Sequence, residues 1–162
     1  MTDLSITALP ATPLHVLEIW GNAPSVAKRF AKAFGASLPP LGSSLPLPSM
    51  QLIRYEPTVW LVEGEIGGLA EILGSDGNLT AIGGGLVRVR LSGAGWRSLL
   101  MEGGVFDAES REFVTGCSAA TVIDHVNVRL FVENGDACLA YVPLSYARDM
   151  IQFWTVAAKS LV

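Results

Sequence analysis

At 162 residues the chain can bury a core as one domain or as two packed halves of about 80 residues, and it is too short for a third. With 11 basic against 15 acidic residues, a net charge of -4 and an isoelectric point near 5.1, it lacks the cationic surface that binding a phosphate backbone requires, which argues against a nucleic-acid partner. Charged residues reach only 16% against about 25% in an ordinary domain, while hydrophobic residues reach 50%, and we read this deficit as surface meant to be covered by a partner.

The first sixteen residues, MTDLSITALPATPLHV, carry Asp3, no Lys or Arg, and two prolines, so they do not read as a secretory leader. A strand is expected over 15–20, then a turn at Gly21, with Asn22 as the cap of a helix whose early Pro24 needs no amide donor. Val26, Phe30, Ala33 and Phe34 fall on one helical face, and Gly35 ends the element. The uncharged run 33–53 has membrane-spanning length but holds Pro39, Pro40, Pro46 and Pro48, so it reads as a loop. Strands are expected over 50–55 and 58–62, reversed by Glu56-Pro57. A short helix carrying Ile66, Leu69, Ala70 and Leu73 follows, closed by the turn cluster Ser75-Asp76-Gly77-Asn78.

The second half opens with a strand over 86–91, in which Val87, Val89 and Leu91 alternate with Arg88 and Arg90. Gly93 turns the chain into a helix with Trp96, Leu99 and Leu100 on its buried face, ended by Gly103-Gly104. Strands over 119–124, 127–132 and 137–142 come next, the last two joined by Asn134-Gly135, a pair that tolerates positive φ. Ser145 caps a final helix with Tyr146, Met150, Phe153, Trp154, Ala157 and Leu161 along one face.

Both halves thus run strand, glycine turn, helix, long loop, strand, strand, helix, with Gly21 matching Gly93 and Trp60-Leu61-Val62 matching Ala140-Tyr141-Val142. We read this as an internal duplication and expect an α+β fold of two ferredoxin-like half-units, 1–84 and 85–162, with mixed, mainly antiparallel sheet.

Chemistry is sparse in this pattern. Gly83-Gly84-Gly85 precedes a strand, whereas phosphate loops follow a strand and open a helix, so it reads as a connector. Glu102, Asp107, Glu109 and Glu112 around Arg111 look like a solvated loop, and Cys117 with His125 lacks an orienting group. Cys117 and Cys138 have no metal-ligand spacing, and two cysteines fit a reducing, cytoplasmic setting. No residue is nominated as catalytic or as a metal ligand, and cofactor contacts stay unassigned. Trp20, Trp60, Trp96 and Trp154 fit the core periodicity of their elements, with a partner interface as the second reading. Trp96, Tyr146 and Trp154 are the candidates for that interface.

The stretch 86–154 resembles the gamma-subunit family of heterotetrameric sarcosine oxidase. The likeness is carried by Arg88 through Gly93, Leu99-Leu100, Asp107, Gly116-Cys117, Ala120-Thr121, Val142-Pro143, Ser145-Tyr146-Ala147 and Phe153-Trp154, with WLVEG at 60–64 as a weaker echo. Gly104-Val105, Ala119-Ala120 and Leu144 depart from the family pattern. The resemblance implies a fold like that of the folate-binding aminomethyltransferases, and an accessory, non-catalytic subunit working in oxidative demethylation of N-methyl amino acids beside alpha and beta subunits. Those partners would hold FAD, FMN, NAD and tetrahydrofolate, and this chain none. Two other readings stand beside it. One is a free-standing folate-binding aminomethyltransferase-like protein, with Asp107 and Glu18 the only acids to nominate. The other is a self-associating module, a homodimer when isolated.

Overall fold

The computed structural model describes residues 3–161. Its strands are β1 (Ser5–Ala8), β2 (Leu14–Ile19), β3 (Ser44–Pro46), β4 (Met50–Glu56), β5 (Val59–Gly64), β6 (Gly77–Ala81), β7 (Leu86–Ser92), β8 (Ser118–Ile123), β9 (Val126–Asn134) and β10 (Ala137–Pro143). Its helices are α1 (Ala23–Phe34), α2 (Leu69–Leu73), α3 (Trp96–Met101) and α4 (Ala147–Ala157). They form two units: Thr12–Gly83, and the described part of Met1–Ala11 together with Gly84–Val162.

Each unit owns one five-stranded sheet, ordered β3-β4-β5-β2-β6 in the first and β1-β7-β10-β9-β8 in the second. Read from the opposite edge, the second order is β8-β9-β10-β7-β1, the same plan element for element. Leaving out the edge strands β3 and β8, each sheet has the strand order of a ferredoxin-like unit, with β6 and β1 in the same outer place. The register agrees: Leu17 pairs with Trp60 as Val89 pairs with Ala140, four residues before Gly21 and Gly93 in turn. Every strand pairing among the described residues is antiparallel, so the expectation of mixed sheet is corrected to a purely antiparallel one.

The outer strand is where the two copies differ. In the first unit β6 follows α2 and pairs with β2. In the second, β1 arrives from the N-terminal stretch and pairs with β7, with Ser5 opposite Ser92 and Ala8 opposite Val89. Cutting the sequence between residues 84 and 85 therefore separates β1 from the sheet it belongs to. Close approach at this seam explains Gly93, whose φ is 101° and where a Cβ would lie 1.4 Å from the Asp3 carbonyl oxygen.

Each unit packs its own core. Leu17, Ile19, Leu52, Trp60 and Val62 of one sheet meet Val26 and Phe30 of α1 and Leu69, Ile72 and Leu73 of α2. In the other, Val89, Leu91, Leu130, Cys138 and Ala140 meet Trp96, Leu99 and Leu100 of α3 and Met150 and Trp154 of α4. α1 ends as expected: Gly35 takes φ 67° and its N–H donates to the Ala31 carbonyl at 2.9 Å.

Several local expectations are corrected. Asn22 precedes α1 with φ 40° but makes no side-chain cap; its carbonyl accepts from Ser25 and Val26 instead. The left-handed residue of this turn is therefore Asn22, while Gly21 has no positive φ. The Leu144–Tyr146 segment is a 3-10 turn ahead of α4, which has no side-chain cap, so Ser145 does not play that part. Asn134 pairs with Ala137, which makes Gly135-Asp136 the centre of the β9–β10 turn, and the Asn134 Oδ1 accepts the Asp136 N–H at 2.8 Å. The tight turn that does use left-handed backbone is Asp124-His125, with φ 45° and 67° between the paired Ile123 and Val126. β6 lies where the sequence suggested only a turn, and β1 and β3 lie in stretches read as irregular.

Candidate functional site

The residues nominated from sequence do not converge. Glu18 is exposed on β2, and Asp107 is exposed in a loop, its Oδ1 accepting the Glu109 N–H at 3.1 Å. Cys117 donates to the Glu112 carbonyl at 3.3 Å just before β8, while His125 sits in the turn after it. Six residues of extended strand hold the two about 20 Å apart, so they form no nucleophile and base pair. Burial pushes the Cys138 thiol up from 9.0 to about 12, far from the range in which a thiolate could act at neutral pH. Among the described residues no group of three or more His, Cys, Asp or Glu side chains is placed to hold a metal ion.

The interface candidates also divide. Trp96 and Trp154 are 2% and 0% exposed, taken up by the core of their own unit, so they offer no side-chain surface to a partner. Tyr146 is 51% exposed, as are neighbouring Leu144 at 60% and, on α4, Val156 at 58%. The sequence assigned Tyr146 to a helix face, but it falls in the 3-10 turn, where its ring is not directed into the core. Of the four tryptophans Trp20 stands apart: it lies at the end of β2, largely exposed, with its Nε1 donating to the Ser75 carbonyl at 3.2 Å.

A concave site that sequence reading did not anticipate lies within the Thr12–Gly83 unit. It encloses about 300 Å³ between the start of α1, the loop after that helix and the β4–β5 turn, and is lined by Ile19, Ala23, Ala27, Ser37, Leu38, Arg54, Pro57, Thr58 and Trp60. Trp60 is buried, and its Nε1 has no hydrogen-bond partner among the described residues. The Arg54 guanidinium stands 4.6 Å from the centre of the Trp60 ring, a cation–π contact. Arg54 is held there by its own N–H groups, which donate to the carbonyls of Pro39, Glu56 and Pro57. The loop is tied to the hairpin by Gly42 N–H to the Arg54 carbonyl at 3.1 Å and Arg54 N–H to the Ser43 carbonyl at 2.9 Å. The result is a half-open hollow above a buried tryptophan, with a fixed cation and two hydroxyls beside it and no evident reactive group. The sequence signal for it is the pair Ala23 and Ala27, small residues one helical turn apart on a helix whose core face otherwise carries Val26 and Phe30.

A duplicated ferredoxin-like α+β unit with this strand order is the class of protein the fold defines. Over 97% of this chain and 84% of the other, it matches a chain of the heterotetrameric sarcosine oxidase from Corynebacterium sp. U-96, determined in complex with pyrrole 2-carboxylate, with a TM-score of 0.84 at 16% identity. It also matches glycine cleavage system aminomethyltransferase T from Bartonella henselae, with a TM-score of 0.65 at 15% identity over 93% of this chain and 45% of that one. The sequence matches no protein-family model and no curated protein. At such identities the likeness establishes the fold, which is that of the aminomethyltransferase-like α+β proteins.

Proposed function

We propose that the chain is an accessory, gamma-type subunit of a flavoenzyme complex resembling heterotetrameric sarcosine oxidase, acting in oxidative demethylation of N-methyl amino acids. The observation that carries this reading is the extent of the structural match, which covers 97% of this chain and 84% of the other, and the matched protein is a heterotetrameric enzyme. In this reading flavin, nicotinamide and folate belong to alpha and beta subunits, and the part of this chain is to cover and hold them. Its exposed apolar side chains suit that part, because large hydrophobics such as Leu144, Tyr146 and Val156 gain most when a partner removes them from water. No helix among the described residues is long and apolar enough to cross a membrane.

The free-standing aminomethyltransferase-like reading draws less support, since the chain fills less than half of that enzyme. Size-exclusion chromatography of this chain co-expressed with the products of the genes that flank its own tests the proposal. Co-elution in one flavin-coloured peak is expected, and elution of this chain alone as a monomer or homodimer in the presence of those chains would count against it.

A further inference from the structure

We propose that β1 is an exchangeable strand: the outer place of the second sheet, beside β7, accepts the β1 segment of a second copy of this chain, giving a strand-swapped dimer of the isolated protein. The two units differ at that place. In the Thr12–Gly83 unit the outer strand β6 follows α2 directly and folds back onto β2. In the second unit the described chain after α4 makes only a 3-10 turn over Ala158–Ser160, and the same place is taken by β1, which the whole of the first unit separates from β7 in sequence. The seat is thus built by one stretch of chain and filled by another, and its pairing does not distinguish the β1 of the same molecule from the β1 of a copy. This concerns the isolated chain and does not rest on the subunit reading.

The seat is specific and shallow. Ser5 to Ala8 pair with Ser92 to Val89, the Leu9 N–H donates to the Arg88 carbonyl at 2.8 Å, and the Arg88 guanidinium donates to the Pro10 carbonyl at 2.6 Å. Gly93 leaves room for the Asp3 carbonyl, so the place is shaped for this segment. Yet Ser5, Thr7 and Ala8 are exposed, and from β1 and its approach only Leu4 and Ile6 pack, half-buried, against the core of the unit. An element held by so few pairings and side chains opens before the sheet it lies on.

The link between β1 and β2 favours exchange. It reads Leu9-Pro10-Ala11-Thr12-Pro13. Each proline fixes its own φ and holds the residue before it, Leu9 and Thr12, out of the helical region, so the link runs extended and resists being folded back on itself. A short flexible link gives a segment an effective concentration in the millimolar range at its own seat, and stiffness lowers that advantage. The closed and exchanged forms share every β1–β7 contact, so the link and the protein concentration decide between them.

The test uses the full-length chain carrying Cys117→Ser, as two single variants, Ser5→Cys and Ser92→Cys, one of them 15N-labelled, mixed at roughly 0.5 mM and oxidised. Ser5 and Ser92 face each other in the register, so a disulfide joining position 5 of one isotope to position 92 of the other reports β1 of one molecule seated on β7 of its copy. Such links are expected at least about tenfold above those from a mixture of Ser5→Cys and Ser160→Cys chains, although Ser160 is exposed and Ser92 half-buried. The double variant Ser5→Cys/Ser92→Cys, oxidised in dilute solution, should close its bond within the chain and stay monomeric in light scattering. Links no more frequent than in the control mixture overturn the proposal, and so does a double variant that fails to close, since β1 would then not lie on β7 in either form. Pro10→Ala with Pro13→Ala should lower the exchanged share; an unchanged share would overturn the part given to the link.

Discussion

Asp124 and His125 hold φ angles of 45° and 67°, a left-handed pair that L side chains adopt at a cost of about 1 kcal/mol each and that Asn-Gly adopts readily. Replacing them with Asn-Gly should raise the melting temperature by about 2–4 °C in a chain of this size, read by calorimetry; no rise would mean that one of the two side chains stabilises the turn in another way. The same positions show where residue-level reading failed. Asn134-Gly135 carries the stronger turn signal, yet Asn134 is used for its side-chain acceptor and Gly135 has no positive φ, because a register shift between Ala137 and Cys138 moves the turn centre to Gly135-Asp136. The thiols give a second residue-scale prediction. Cys138 is fully buried with its thiol pushed up to about 12, whereas Cys117 is partly exposed, so a thiol reagent at pH 8 should label one cysteine per native chain and two after unfolding. Rapid labelling of both would contradict the placement of Cys138. Because its folded value lies above the unfolded 9.0, the stability tied to the protonated Cys138 is complete below pH 9 and is lost as pH rises toward 12.

At the scale of elements, the long periodic segments were legible and the outer strands were not. α1 announces itself through Pro24, Val26, Phe30 and Gly35, and β7 through its alternation of valine and leucine with arginine. β6 reads Gly-Asn-Leu-Thr-Ala, a turn composition; it becomes a strand because its backbone pairs with β2, and Gly77 permits an approach in which a Cβ would lie 2.3 Å from the Glu18 carbonyl oxygen. β1 pairs with a strand more than eighty residues away, information that no local window contains. Its seam with β7 yields a test: Gly93→Ala adds a Cβ against Asp3 at a left-handed φ, and should cost about 2 kcal/mol or more and speed amide exchange in β1. A loss under about 0.5 kcal/mol would show that β1 is not tightly seated. The hollow beside α1 was hidden for a related reason. Its lining comes from β2, α1, the following loop and the β4–β5 hairpin, segments that no single sequence window joins, and the pair Ala23 and Ala27 is the only local trace of it.

At the scale of the whole molecule, the duplication was legible from the order of elements and from the matched Gly21 and Gly93, and the identical strand orders bear it out. The placement of surface was not legible, because helical periodicity assigns Trp96, Tyr146 and Trp154 alike to apolar faces and only the folded chain shows that two of them are enclosed while Tyr146 is bare. The low share of charged residues, 16%, and the exposed apolar side chains that accompany it fit a chain completed by others. Native mass spectrometry of the chain co-expressed with the products of the genes that flank its own tests this most directly. One mass is expected, containing a single copy of this chain together with flavin-bearing chains; this chain appearing only as a free monomer or homodimer, with flavoproteins assembled without it, would show that it is not a subunit of such a complex.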